Sequence, residues 1–306
     1  MIRTSLITVL MIASLPIRIS ATDVLRVVTT TTDLAGMVKA VGGDWVAVSS
    51  LSLGIQDPHL VEPRPSMVMQ VRKADMLVRI GMDQDLWAQS IIDAARNPKV
   101  VYGGEGYVDV SARIAKLQVP TGRVDMRMGD IHIYGNPHYW LDPANASLIL
   151  EDISDRLTQL QPSGREYFQQ NLRQYVAQID SALAEWQLLM HPFAGLKIVT
   201  YHNSWIYFAT RFNLNIVGYI EPKPGIPPTP SHVAELVGKM KEEGIGVIMI
   251  EPYYNIRVAE TIADQTGAKI LILPSSVGGV KGIKNYMDLF DYLIGQLVEA
   301  FTTLGG

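Results

Sequence analysis

One uninterrupted apolar stripe organises the middle of this chain. Between residues 162 and 189, Tyr167, Leu172, Tyr175, Val176, Ile179, Leu183, Trp186 and Leu189 recur at helical spacing. The stripe spans about seven turns. No Gly or Pro interrupts it after Gly164, and Pro192 and Gly195 end it. A helix of that length acts as a strut between two halves, with an ordinary long helix packed inside one domain as the alternative.

On each side of the stripe, short β-branched runs alternate with amphipathic stretches. Strands are expected at 24–29, 46–51, 76–80 and 100–102, with helices at 33–41, 66–73 and 86–95 between them. The second half repeats the plan, with strands at 196–200, 216–220, 247–251 and 269–273 and helices at 204–211, 231–243, 256–266 and 286–302. Such alternation gives βαβ units around parallel sheets. The fold expected is α/β, with two lobes that each hold a parallel sheet flanked by helices, joined by one long rigid helix. The boundaries are a leader at 1–21, a first lobe at 22–161, the linking helix at 162–191 and a second lobe at 192–306. The Pro-rich stretch 221–230 reads as a stiff connector, with Ser231 capping the helix that follows.

Three of only six histidines occur in separate short motifs just beyond expected strands. His59 lies in Gly54-Ile-Gln-Asp-Pro-His-Leu-Val-Glu-Pro63, His138 in Gly135-Asn-Pro-His-Tyr-Trp-Leu-Asp-Pro143, and His202 in Ile198-Val-Thr-Tyr-His-Asn-Ser-Trp205. Ligand sites in open α/β sheets lie past the carboxyl ends of the strands, which is where all three fall. A proline directly before His59 and before His138 restricts the backbone that aims each ring. Each histidine alone reads as a satisfied structural residue. Three in equivalent contexts point to a metal ion held by neutral imidazoles, with Asp57, Asn136, Asn203 and Asp142 as candidates to orient the rings.

The amino terminus reads as a secretory leader, with a basic start at Arg3, an apolar run over 6–17 and small residues at 19–21. That run is well short of the ~20 residues that span a bilayer. The expected product is a soluble periplasmic protein. With no cysteine, it has neither disulfides nor a thiol to carry a lipid anchor. Losing Arg3 and Arg18 with the leader takes the formal charge from −4 to −6, so nothing recruits nucleic acid or an anionic membrane.

The stretches Asp57-Pro-His-Leu-Val-Glu-Pro-Arg-Pro-Ser66, Gly129-Asp-Ile-His-Ile-Tyr-Gly-Asn-Pro-His-Tyr-Trp-Leu-Asp-Pro143 and Tyr201-His-Asn-Ser-Trp-Ile-Tyr-Phe208 resemble the cluster A-I, zinc- and manganese-specific solute-binding proteins of ABC importers. The likeness runs through nearly the whole mature chain in the same order. It implies a monomeric two-lobed protein that captures a divalent transition metal in the periplasm and passes it to an inner-membrane ABC permease. A periplasmic metallochaperone is a further partner. By the same resemblance His59 and His138 are ligands from the first lobe and His202 from the second. Histidine rather than glutamate at the third position implies Zn²⁺ ahead of Mn²⁺.

The chain departs from the family where many members supply an aspartate, because Leu273-Pro-Ser-Ser-Val277 places Ser275 there. Water, Glu251 or a carboxylate elsewhere in the chain is then the candidate fourth ligand, and for Glu251 a structural role, such as pairing with Arg257, is the favoured reading. In place of a long His- and acid-rich loop, residues 118–134 offer only Asp125, Asp130 and His132, the last as an accessory ligand at the entrance or a surface histidine. Because protonated imidazole cannot bind metal, affinity is expected to fall below pH ~6.5.

Three ligands and an open position would also suit a secreted zinc-dependent hydrolase. No His-Glu-x-x-His helix, phosphate-binding glycine loop or Gly-x-Ser-x-Gly elbow supports one, so no enzyme is expected. A surface adhesin is the third reading.

Overall fold

The computed structural model describes residues 24–122, 132–223 and 225–305. The expected leader, Asp125 and Asp130 lie outside the described residues. In the first half β1 (Leu25–Thr29), β2 (Val46–Ser50), β3 (Met76–Arg79) and β4 (Tyr107–Asp109) form a sheet in the order β2-β1-β3-β4. All its pairings are parallel. Helices α1 (Thr32–Gly42), α2 (Pro65–Lys73) and α3 (Trp87–Ala95) connect the strands, and α4 (Ala146–Leu160) follows.

Beyond α5 (Arg165–Met190), β5 (Lys197–Thr200), β6 (Asn215–Tyr219), β7 (Val247–Ile250) and β8 (Lys269–Ile272) repeat the arrangement as β6-β5-β7-β8, again all parallel. Helices α6 (Ile206–Arg211), α7 (Pro230–Glu243), α8 (Arg257–Thr266) and α9 (Tyr286–Gly305) complete the second half. No helix among the described residues is long and apolar enough to cross a membrane.

The central strands are buried on both faces, since Met76, Leu77 and Val78 in β3 and Ile248 and Met249 in β7 are all fully buried. That explains their continuous apolar runs in place of alternation. Helix α5 runs for 26 residues between two short 3-10 turns. Its first part rests on the first half, where Phe168 meets Trp45 edge-on at 5.9 Å. Its last part rests on the second half, where Trp186 stacks on Phe290 at 5.2 Å and donates its indole N–H to Asp291 at 2.8 Å. One helix thus contributes aromatic anchors to both lobes, and a single apolar core runs through them.

Three sequence expectations need correction. Residues 100–102 are not a strand. Val100 is buried, but its N–H bonds to Asn97 in a turn that Gly103 continues at φ +78°, and the edge strand forms later, at Tyr107–Asp109. Helix α4 was not anticipated, although Ile149, Leu150, Ile153 and Leu157 mark its buried face. The cap of α7 is Thr229, whose hydroxyl accepts from the His232 N–H, and not Ser231.

Candidate metal centre

Each of the three motif histidines stands on a loop beyond the carboxyl end of a sheet, and each is anchored through its own Nδ1. In the loop after β2, Asp57 accepts from the His59 backbone N–H at 2.9 Å and lies 2.8 Å from its Nδ1. The Trp87 indole holds the same loop by donating to the Pro58 carbonyl at 2.9 Å. Before α4, the Asn136 amide oxygen takes the same two positions on His138, at 3.0 and 2.9 Å. Two residues beyond β5, His202 places its Nδ1 2.6 Å from a Glu221 carboxylate oxygen, while the Thr200 hydroxyl donates to the His202 carbonyl.

These contacts settle the tautomers. Ionised carboxylates only accept, so Nδ1 of His59 and of His202 carries the proton. The Asn136 NH₂ group donates to the Gln118 side chain and to the Asn203 carbonyl, which turns its oxygen toward His138. All three rings therefore keep the Nε2 lone pair for a metal, with the other nitrogen fixed by a neighbour.

The rings converge. His59, His138 and His202 bring ligand nitrogens within 4.8 Å of one another, and among the described residues no carboxylate belongs to that group. Ring centroids are 5.0 Å apart for His59 and His138, 5.3 Å for His59 and His202, and 5.5 Å for His138 and His202. Imidazoles bound tetrahedrally to one zinc at about 2.0–2.1 Å would have ring centroids roughly 5 Å apart. The arrangement fits a single ion bound by three nitrogens, with a further position for water or another donor.

Burial, reinforced by the neighbouring imidazoles, holds His138 well below the usual histidine pKa. Protons therefore compete for this ring only at a pH well under 6.5, which moves the acid limit expected from free imidazole downward for this ligand. Asp57 is partly buried, which favours its neutral form, but the bonds from His59 outweigh that and hold its carboxyl below the ordinary range.

The remaining candidates fall around this centre. His132 packs on His59 with centroids 5.3 Å apart and lies 6.5 Å from His138, its Nε2 buried without a partner among the described residues. It is not among the three converging ligands. Burial pushes its pKa down to about 3. Ser275 is buried with its hydroxyl 3.1 Å from the Tyr253 hydroxyl. Glu251 is fully buried directly after β7, and burial raises its pKa to about 8. Arg257 is exposed and makes no ion pair with it among the described residues, which removes the expected pairing.

Two expected ring partners work elsewhere. Asp142 pairs with Arg211 at 2.6 and 2.9 Å, and Asn203 binds Gln118 and Asn136. The partner that the sequence reading missed is Glu221, at the head of the segment taken for a connector. Its position one residue after an expected strand was the available signal.

The lobes meet beside the site. The Val277 N–H donates to Asp33 at 2.9 Å, the Thr32 hydroxyl donates to the Val277 carbonyl at 2.7 Å, and the Trp140 indole donates to the Ser275 carbonyl at 2.7 Å. Gly54 fits under this strand of backbone, where a Cβ would stand 2.0 Å from the Val277 carbonyl oxygen. Gly54→Ala is expected to destabilise the protein by about 1–3 kcal/mol, because rigid backbone must move to admit the methyl. Thermal melting of the metal-free variant checks this, and an unchanged melting temperature would refute it.

Known proteins share this plan. Residues 27–300 match the family described as zinc-uptake complex component A, periplasmic. The iron-binding protein YfeA of Yersinia pestis is 25% identical over 287 residues, covering 90% of this chain and 86% of that protein. The high-affinity zinc uptake system protein ZnuA of Bacillus subtilis is 24% identical over 259 residues, covering 84% and 80%. Among solved structures, a crystal structure of ZnuA superposes with a TM-score of 0.76 at 23% identity, covering 91% of this chain and 99% of that one. The binding protein FpvC of Pseudomonas aeruginosa, in complex with Mn²⁺, gives 0.77 at 22% identity, covering 92% and 99%.

Proposed function

The chain belongs to the periplasmic zinc-uptake component A family, a family of solute-binding proteins and not of enzymes, and on that footing we propose that it captures Zn²⁺ for import. It is a divalent-metal-binding component of an ABC importer, and membership implies a permease as its partner. The relatives' names divide among zinc, iron and manganese, so the choice of metal rests on the site itself.

The observation that carries zinc is the donor set. His59, His138 and His202 converge through imidazole nitrogens, with no carboxylate in the group among the described residues. Imidazole suits zinc, whereas manganese favours oxygen donors and higher coordination. In this reading the three histidines are the ligands, and the charge of the ion is balanced from behind the rings by Asp57 and Glu221. Water supplies the fourth donor, with His132 beside the entrance. Residues 22–161 and 192–306 act as the lobes and 162–191 as the strut, in a periplasmic monomer.

Native mass spectrometry of chelator-stripped protein offered zinc and manganese together tests this. Retention of one zinc ion per chain is the expected result. Preferential retention of manganese would refute the zinc reading.

A further inference from the structure

Behind His202 lies a set of buried polar atoms left without partners. Both carboxyl oxygens of Glu251, the Ser204 hydroxyl and the Trp205 indole nitrogen are shielded from solvent and make no hydrogen bond of ordinary geometry among the described residues. Ser204 and Trp205 nevertheless lie close enough to the carboxyl to act on it electrostatically. Sheet register explains why they meet. Val199 and Thr200 of β5 lie opposite Ile248 and Met249 of β7, and the Tyr201 N–H continues the ladder to the Met249 carbonyl. Extending that register brings Glu251 beside the turn that carries His202.

The groups are complementary. A buried polar atom left unpaired is costly, and Ser204 and Trp205 stand beside the Glu251 carboxyl as partners for it. Burial pushes the Glu251 pKa up to about 8, and in its protonated form the carboxyl offers one acceptor and one donor. On its near side the turn is held by the Thr200 hydroxyl bonded to the His202 carbonyl. Its far side, Ser204 and Trp205, faces Glu251.

We infer that Glu251 is a positioning residue for the metal site: its carboxyl engages Ser204 and Trp205, fixes the far side of the 202–205 turn, and so aims the His202 ring without touching the ion. This deepens the proposed function and rests on His202 being a ligand. It also gives Glu251 a role other than the fourth donor, in keeping with the absence of any carboxylate from the converging group among the described residues.

The test compares Glu251→Gln, Glu251→Ala and Ser204→Ala, with His202→Ala as reference. Zinc affinity is measured by competition with a chromophoric chelator, and the Co²⁺-loaded site is followed by its visible absorption. Glutamine reproduces both the donor and the acceptor of the neutral acid, so Glu251→Gln is expected to keep zinc affinity within about threefold and leave the Co²⁺ spectrum unchanged. Glu251→Ala is expected to weaken zinc by roughly 10–100-fold, the range for partners that orient metal ligands.

If Glu251→Gln lost zinc as completely as His202→Ala and altered the Co²⁺ bands, Glu251 would be a ligand and the inference would be wrong. Wild-type affinity in Glu251→Ala would overturn it equally. Should Glu251→Ala not fold, Ser204→Ala decides, with a several-fold loss expected and unchanged affinity refuting the role. Zinc binding indifferent to His202→Ala would instead sink the proposed function itself, so the two failures are distinct.

Discussion

Replacing His202 with alanine is expected to lower zinc affinity by well over 100-fold, beyond the roughly 10–100-fold typical of residues that only orient a ligand. The variant loses one of three converging nitrogens and leaves Glu221, whose side chain is only 10% exposed, without its imidazole partner. The wild type should gain about 2.7 kcal/mol of stability when free zinc stands at 100 times its dissociation constant, because the ion binds the folded state alone. His202→Ala should gain almost none at the same zinc concentration. Thermal melting with and without zinc, alongside chelator competition, reads both quantities. A variant that still binds within tenfold of wild type would remove His202 from the site.

The second large effect is expected at Glu221. Its carboxylate lies 2.6 Å from His202 Nδ1, and in the proposed site it holds the proton there and presents Nε2 to the ion. Glu221→Ala frees the ring to rotate and to exchange tautomers, and it removes one of the two carboxylates that offset the charge of the ion from behind the ligands. Zinc affinity should fall by about 10–100-fold. Glu221→Gln should fall between the alanine variant and wild type, since an amide oxygen can accept the Nδ1 proton but brings no charge. Equal affinity for alanine, glutamine and wild type in a competitive titration would show that Glu221 has no part in tuning the site.

Much of the centre was legible because its motifs are local. Asp57 and Asn136 each stand two residues before their histidine, so an Asx-type turn brings side chain and ring together whatever the rest of the fold does. Glu221 is 19 residues from His202 in the chain. It becomes a neighbour only because β6 is hydrogen-bonded alongside β5, and no residue pattern states strand order. The same limit explains Glu251, which was noticed as a strand-end glutamate but assigned the wrong companion. Its actual surroundings depend on β7 lying on the other side of β5.

The errors in the fold have physical causes of the same kind. Val100 and Val101 have the composition of a strand, yet Asn97 ties that stretch to α2 through bonds to the Val71 and Ala74 carbonyls, and a turn forms. Burial of Val100 does not require a strand, only a place in the core. The stripe of α5, by contrast, was read correctly. A long uninterrupted apolar face has few ways to be satisfied other than a helix lying across other elements.

The sequence by itself determined two runs of alternating strands and helices, a strut between them, and three histidines in short motifs, two of them aimed by a preceding proline and a short polar turn. Those properties arise from periodicity and local backbone restriction, which act within a few residues. The tertiary structure alone decided that the three rings converge, with ligand nitrogens within 4.8 Å of one another, that Glu221 backs His202, that Gly54 lies beneath the Val277 carbonyl, and that Glu251 is buried near Ser204 and Trp205. Each of these depends on strand order and on the packing of one lobe against the other, where residues distant in sequence are brought together by the burial of a shared core.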